Sequence, residues 1–321
     1  MNLFGALFLV ALLAGSSSVS TIPSSTDNPT QASIRVALLG FTRSKAPNDS
    51  RGLEVALADS LTRDSRIALV DQSIVQSALA GFGYDGSINM TGEEARKLAS
   101  AIGCDFFITG KSEEFTRSER ANESHEQSYA GVMIVDGRNG ALTEFDFIAD
   151  KSATREASRQ SLLKALGSRV TGYVDRMIQI RAQALMPRSR DSASALSPVE
   201  LIEDIPADES PRSSGFKPPE FLNRVKPEYT TEAETADITA TVEAMVVFRS
   251  NGQIGVIEIT RWAGFGLDKS SERAILQLKF KPATRDGAPI SVRAMIRHNF
   301  RRVTDSANKP QQTNSNQPDN Q

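Results

Sequence analysis

The stretch Thr239–Phe300 decides the fold of this chain, and its centre reads Arg261-Trp262-Ala263-Gly264-Phe265-Gly266-Leu267-Asp268. Before this centre lie two alternating apolar runs, Ala240–Phe248 and Ile254–Thr260, with Asn251-Gly252 between them. Asn-Gly between two such runs favours a tight β-hairpin, because both central turn residues take positive φ. This half of the stretch therefore predicts two antiparallel strands.

The second half of the stretch predicts a helix and a last strand. Asp268 stands where a helix N-cap is expected, and the apolar residues Ala274, Ile275 and Leu278 fall on one helical face. Trp262 is expected in the loop between strand and helix, either at the surface or in the core. Ile290–Phe300 alternates again, which predicts a final strand. The expected order is strand, strand, helix, strand.

This order resembles the C-terminal domain of TonB-type proteins. The residues that carry the resemblance are Pro227-Glu228-Tyr229, Asn251-Gly252, Gly264–Asp268, Leu278–Ala283, Asp286–Pro289 and Phe300. The sequence departs from the family pattern at Thr230, where proline usually follows the tyrosine. It departs again at Asp237-Ile238-Thr239, where the family tends to carry a glycine. The resemblance implies a small ββαβ domain over residues 220–303.

The resemblance also implies a binding mode. In the TonB family the last-strand region receives an extended peptide from an outer-membrane partner by strand addition, with affinity supplied by main-chain hydrogen bonds. We expect Ile290–Phe300 to lie at a sheet edge in the same way. The alternative is that charged side chains only solubilise an edge strand. The outward-facing candidates for partner binding are Arg293, Met295, Arg297 and Asn299.

The first residues, Met1–Ser20, predict a cleaved secretory signal. Leu3–Gly15 is a run of apolar and small residues, and the small residues Ser18 and Ser20 suit cleavage after Ser20. A membrane-spanning helix needs about 20 apolar residues, which is more than this run provides. We therefore expect export to the periplasm. An inner-membrane anchor, and membrane contact through it, is the alternative if the segment stays uncleaved.

Residues 33–182 predict a sandwich-type α/β domain with helices against a mixed sheet. Ile34–Phe41 is a nearly continuous apolar run, typical of a strand buried on both faces. Thr91–Glu94 fits a helix capping box, and Ser158–Arg181 carries apolar residues at the steps of a long amphipathic helix. The charge-dense Glu113–Glu126 fits either a solvated loop or a strand extension.

Several pieces of this region resemble envelope α/β modules of the CsgG, TolB N-terminal and LpoB-like kinds. The pieces are Val36–Phe41, Leu69–Asp71, Ala99–Gly110 and Val135–Gly140. The resemblance implies a fold and leaves the function open. The whole division predicted is a signal peptide at 1–20, a flexible lead-in at 21–32, the α/β domain at 33–182, a Pro/Ser/acidic linker at 183–219, the TonB-like domain at 220–303 and a disordered tail at 304–321.

Composition and motifs exclude several function classes. A net charge of −2 argues against a nucleic-acid-binding surface. Cys104 is the only cysteine and cannot form an internal disulfide, and the two histidines, His125 and His298, match no metal-ligand spacing. No catalytic, cofactor or metal site assembles from the sequence.

These observations favour a non-enzymatic, exported envelope adapter that binds a protein or peptide. A TonB-type energy transducer with an uncleaved anchor is the alternative, and an enzyme of unknown type comes third. The oligomeric state stays open.

Overall fold

The computed structural model describes residues 33–42, 51–120, 123–186, 201–205 and 215–302. The predicted signal peptide, lead-in and tail lie outside the described residues, as does most of the predicted linker. The described part contains six helices and thirteen strands in a mixed α and β arrangement, which confirms the predicted fold class. No helix of this part is long and apolar enough to span a membrane.

The N-terminal part is a five-stranded sheet with helices on both faces. Its strand order is β2-β1-β3-β4-β5, with β1 parallel to β2 and β3 and the remaining neighbours antiparallel. The described residues of the charge-dense Glu113–Glu126, namely Glu113–Arg120 and Glu123–Glu126, are strand extensions that pair with each other in β3 and β4. The elements are β1 Ile34–Thr42, α1 Arg51–Thr62, β2 Ile67–Leu69, α2 Gln72–Phe82, α3 Gly92–Ile102, β3 Phe106–Arg120, β4 Glu123–Asp136, β5 Ala141–Ser152 and α4 Arg155–Leu185.

The C-terminal part is a six-stranded sheet crossed by one helix. Its strand order is β10-β9-β13-β12-β7, and β6 adds to β13, while β8 and β11 form a separate pair. The elements are β6 Ile202–Asp204, β7 Phe216–Lys217, β8 Glu220–Phe221, α5 Thr231–Thr235, β9 Ala240–Phe248, β10 Ile254–Arg261, α6 Leu267–Leu276, β11 Phe280–Lys281, β12 Ala283–Arg285 and β13 Ala288–Phe300. The predicted hairpin is confirmed as β9 and β10. The expectation of positive φ at both turn residues is wrong, because only Gly252, at φ 81°, takes it, and the Arg249 N–H donates to Gln253 O across a longer connection.

Local sequence signals account for most helix starts. Thr91 and Glu94 form the predicted capping box, in which Glu94 N–H donates to Thr91 Oγ1 at 3.1 Å and Thr91 N–H donates to Glu94 Oε2 at 2.7 Å. Asp71 caps α2 by accepting from Ser73 N–H at 2.7 Å. The predicted capping box is confirmed.

The predicted N-cap role of Asp268 is wrong. Helix α6 begins at Leu267 after Gly266, whose φ of 73° is left-handed. The Asp268 carboxylate instead accepts from the N–H groups of Ala263 and Gly264 at 2.8 and 2.7 Å. The loop folds back over the first turn, so the carboxylate holds the loop and not the helix end.

The expectation that the last strand forms a sheet edge is wrong for β13 as a whole. Strand β9 pairs along one side of it from Val292 to Phe300. On the other side, β12 pairs with its first residues through the Asp286-Gly287 turn, and β6 pairs with the next ones. Strand β10 is an outer strand of the sheet instead.

One face of the N-terminal sheet packs on α1 and α4. Alternate residues of the central strands point to this side, as expected for period-two strands. Phe106 and Ile108 of β3 and Val132 of β4 are buried there against Leu57 of α1 and Leu166 of α4. This face follows the pattern that the sequence predicts.

The opposite face of the N-terminal sheet is covered partly by helices and partly by the C-terminal part of the chain. Helices α2 and α3 cover the part next to β1 with residues such as Val75 and Leu98. The part over β4 and β5 is covered by residues of the C-terminal part, including Trp262 and Phe265. The two parts of the chain therefore share one core. Its C-terminal members are Ala233, Ala236, Ile238, Ala240, Val242, Trp262, Ala263, Phe265, Leu267 and Phe300.

Trp262 lies in this shared core and is 2% exposed. Its indole N–H donates to the carbonyl oxygen of Gly140 at 3.1 Å, and its backbone N–H donates to Met90 O at 3.3 Å. Asn89 adds a second bridge, because its side chain donates to Thr241 O and Trp262 O and accepts from Thr241 N–H. The loop is thus attached to the N-terminal sheet by both apolar and polar contacts.

We expect Trp262→Ala to lower the free energy of unfolding by about 3–5 kcal/mol, because it leaves a cavity and an unpaired Gly140 carbonyl. Val256→Ala on β10 is the control, since Val256 is 66% exposed. Urea unfolding of both variants measures the difference. A Trp262→Ala loss no larger than that of the control would contradict the core position.

Candidate partner-binding edge

The exposed face of β13 carries the four residues predicted for partner binding. Arg293, Met295, Arg297 and Asn299 are exposed, whereas Val292 and Phe300 are buried on the opposite face. The alternation along this strand is therefore as predicted. The strand begins where β12 turns back at Asp286-Gly287, and its ladder with β9 fixes which residues face outward.

The second edge of β13 is open over part of its length. Ser291–Arg293 is paired in parallel with Ile202–Asp204, and the Ile205 N–H donates to Arg293 O at 3.3 Å. From Ala294 to Phe300 this edge has no strand partner among the described residues. The open stretch is called the free edge below.

The backbone groups that face the free edge follow from the β6 contact. Residues of an antiparallel pair alternate between exchanging hydrogen bonds with the neighbouring strand and pointing away from it. Since Arg293 O points to β6, the N–H and C=O groups of Met295, Arg297 and Asn299 point to the same side. The three residues present their backbone to any added strand.

The four side chains differ in how they are engaged. Arg293 donates to Asp204 from Nε at 2.8 Å and from Nη2 at 3.1 Å. Arg297 forms an ion pair with Glu243 of β9 at 2.8 Å, and Asn299 accepts from Thr241 Oγ1 at 2.9 Å. Met295 is 51% exposed. The structure therefore brings the predicted residues onto one surface, with Arg293 already paired with Asp204 of β6.

The free edge leads into a basic groove of about 1000 Å³. Among the described residues, four cationic side chains and one carboxylate, that of Glu234, line it. His298 is half-buried there, and burial lowers its pKa. The electrostatic character of this end of the strand is positive. The cationic residues are Lys226, Arg297, Arg301 and Arg302.

A second concave region lies where the two parts of the chain meet. It has a volume of about 960 Å³ and is lined by the start of β5, the end of β10 and the first turn of α6. Its apolar floor includes Trp262 and Phe145, and its rim carries both acidic and basic side chains. No group of three or more His, Cys, Asp and Glu residues in the described ranges could hold a metal ion.

Residues 225–301 match the family model of the Gram-negative bacterial TonB protein C-terminal. The match confirms the resemblance that the sequence predicts for residues 220–303. It covers strands β9 to β13 and helix α6, and so includes the free edge and the loop at Trp262. No curated protein matches the chain.

Solved structures are similar to parts of the chain at low sequence identity. The hypothetical protein CT253 from Chlamydia trachomatis shares 16% identity over 44% of this chain and 98% of its own, with a TM-score of 0.34. The LpoB C-terminal domain from Escherichia coli shares 12% over 38% and 86%, with a TM-score of 0.27. The TonB C-terminal domain of Pseudomonas aeruginosa shares 18% over 28% and 92%, with a TM-score of 0.21. The assignment of residues 225–301 rests on the family match.

Sequence reasoning missed the contact that positions this region. Phe265 packs against Phe145 with ring centroids 4.9 Å apart, and its ring lies over Gly131 of β4. Gly131 was a sequence signal for this contact, because an isolated glycine inside a strand often marks a close approach by another group. Phe145 and Phe147 also alternate on β5 with no predicted helix to cover them.

The Asp268 carboxyl beneath this loop has a pKa raised to about 6. Burial is the main cause because it disfavours the charged form, while the N–H groups of Ala263 and Gly264 act in the opposite direction. A carboxyl with a higher pKa in the folded state binds its proton more tightly there. The stability from this group therefore rises as pH falls from above 6 towards the ordinary value of 3.8.

We expect the difference in free energy of unfolding between the wild type and Asp268→Asn to grow by about 1 kcal/mol from pH 7.5 to pH 5. Urea unfolding at both pH values measures it, and carbon NMR of the carboxyl gives the midpoint directly. Asp59→Asn on the exposed side of α1 makes the same charge change as a control. A midpoint near 4 would contradict the assigned burial effect.

Proposed function

We propose that this protein is a non-enzymatic component of the bacterial cell envelope that binds an extended segment of a partner protein by strand addition. The site is the free edge of β13, where Met295, Arg297 and Asn299 present their backbone groups. The family match over residues 225–301 supports an envelope location and a partner-binding role. We propose the periplasm as the compartment.

The observation that carries this proposal is an unpaired row of backbone donors and acceptors beside exposed side chains. Met295 is half exposed, and the free edge from Ala294 to Phe300 has no strand partner among the described residues. An extended peptide that adds to such an edge gains main-chain hydrogen bonds, and pockets for alternate side chains give specificity. The basic groove at the end of the strand adds an electrostatic component.

We expect Met295→Pro to weaken partner binding severalfold while the chain stays folded. Proline removes the N–H that faces the free edge but none of the ladder with β9, and one main-chain hydrogen bond is worth about 0.5–1.5 kcal/mol. Met295→Leu keeps the N–H and is the matched control. Thermal unfolding checks that both variants are folded.

Binding is measured by photo-crosslinking from a benzoylphenylalanine at Asn299 in cells that make the protein. A crosslinked partner in the wild type and Met295→Leu, with severalfold lower yield in Met295→Pro, supports strand addition. A probe at the exposed Asp59 reports background crosslinking. Equal yield from the proline variant, or no product above background in the wild type, would overturn the proposal.

A further inference from the structure

A segment of this chain already occupies part of the edge that the proposed function requires. Strand β6, Ile202–Asp204, lies in the region predicted as a linker and pairs in parallel with Ser291–Arg293. The pairing continues at Ile205, whose N–H donates to Arg293 O. The edge therefore accepts an extended strand, and the one it holds belongs to the same chain.

Charge complementarity accompanies the backbone pairing. Asp204 accepts from Arg293, and Glu203 accepts from Arg285 of β12. Each of the two carboxylates of β6 is therefore paired with a different arginine of the neighbouring strands. The strand that fits here is thus extended, parallel to β13 and acidic.

The contacts that hold β6 are limited in number and exposed. The strand is three residues long, Leu201 is 77% exposed and Ile202 is 44% exposed, while Ile205 just after it packs against the C-terminal core. In the Arg293–Asp204 ion pair both side chains are about half or more exposed, and such pairs contribute little to stability. A competing acidic strand must replace these contacts together with the Glu203–Arg285 ion pair and the packing of Ile205.

We infer that β6 is an internal occupant of the partner-binding edge, which an incoming acidic strand must displace to pair with β13 from Ser291 onward. This inference rests on the proposed function and adds the partner class and a competition step. A partner that binds while β6 stays in place could pair only with the residues from Ala294 to Phe300. Displacing β6 extends the pairing to Ser291. It also frees Arg285 and Arg293 to form ion pairs with carboxylates of the partner strand.

The test uses the full chain and a fluorescent synthetic peptide with the sequence of residues 200–206. Asp204→Lys places a cation beside Arg293 and so weakens β6 without changing the edge itself. Because apparent affinity scales with the fraction of molecules whose edge is open, we expect this variant to bind the peptide about two- to fivefold more tightly than the wild type. Fluorescence anisotropy gives the affinities, and hydrogen exchange of residues 291–299 locates the binding.

Two further variants separate competition from other effects. Asp59→Lys makes the same charge change on the exposed side of α1 and should leave the affinity at the wild-type value. Combining Asp204→Arg with Arg293→Asp restores the ion pair between β6 and β13 with reversed charges. Because the edge then carries an aspartate in place of Arg293, we expect this double variant to bind the acidic peptide more weakly than the wild type. This double variant also shows that charge changes at the two positions are tolerated by the fold.

The outcomes distinguish this inference from the function on which it rests. Equal peptide affinity in the wild type, Asp204→Lys and Asp59→Lys, with protection at residues 295–299, would overturn the displacement of β6 and leave strand addition standing. Absence of any peptide binding or protection in all variants would overturn both. A gain confined to Asp204→Lys, together with protection reaching Ser291, supports the inference.

Discussion

The packing of Phe265 over Gly131 is the contact on which the arrangement of the two parts depends. A Cβ at Gly131 would lie 2.7 Å from Cζ of Phe265, so only glycine leaves room for the ring. The ring is flanked by Phe145 and Phe147 of β5. Helices α2 and α3 cover the other side of the same sheet face, next to β1. The C-terminal part therefore covers the sheet face that α2 and α3 leave open, as well as carrying the proposed binding edge.

This shared core has a consequence for the binding edge. Trp262 and Asn89 attach the ends of β10 and β9 to the N-terminal part, and Lys111 donates to Ala236 O just before β9. Strand β13 pairs with β9 along its whole second half, so its direction is set by the N-terminal sheet. A partner strand held at the free edge would be held in a fixed orientation to the α/β part and not at the end of a tether.

Features that depend on residues close together in the sequence could be predicted from it. Features that depend on contacts between distant residues could not. The capping box at Thr91 and the strand pair joined at Asn251-Gly252 need only local chemistry, and both formed, although only Gly252 of the turn takes positive φ. Asp268 was misread because its partners, Ala263 and Gly264, reach it only after the loop folds back onto the sheet. Strand β6 has no pattern of its own, since three residues held by main-chain bonds and two arginines carry too little hydrophobic periodicity to be seen.

The two interpretations of the arginines on β13 are compatible once their geometry is considered. Charged side chains on an exposed strand discourage unspecific pairing, and Arg293 and Arg297 serve that purpose against neutral or basic strands. Their side chains project from the face of the sheet, however, and leave the backbone groups at its edge accessible. Strand β6 can pair with β13 because Glu203 and Asp204 form ion pairs with Arg285 and Arg293. Under the proposed function, the same charges that keep most strands away would select acidic partners, so solubility and specificity at this edge would have one physical origin.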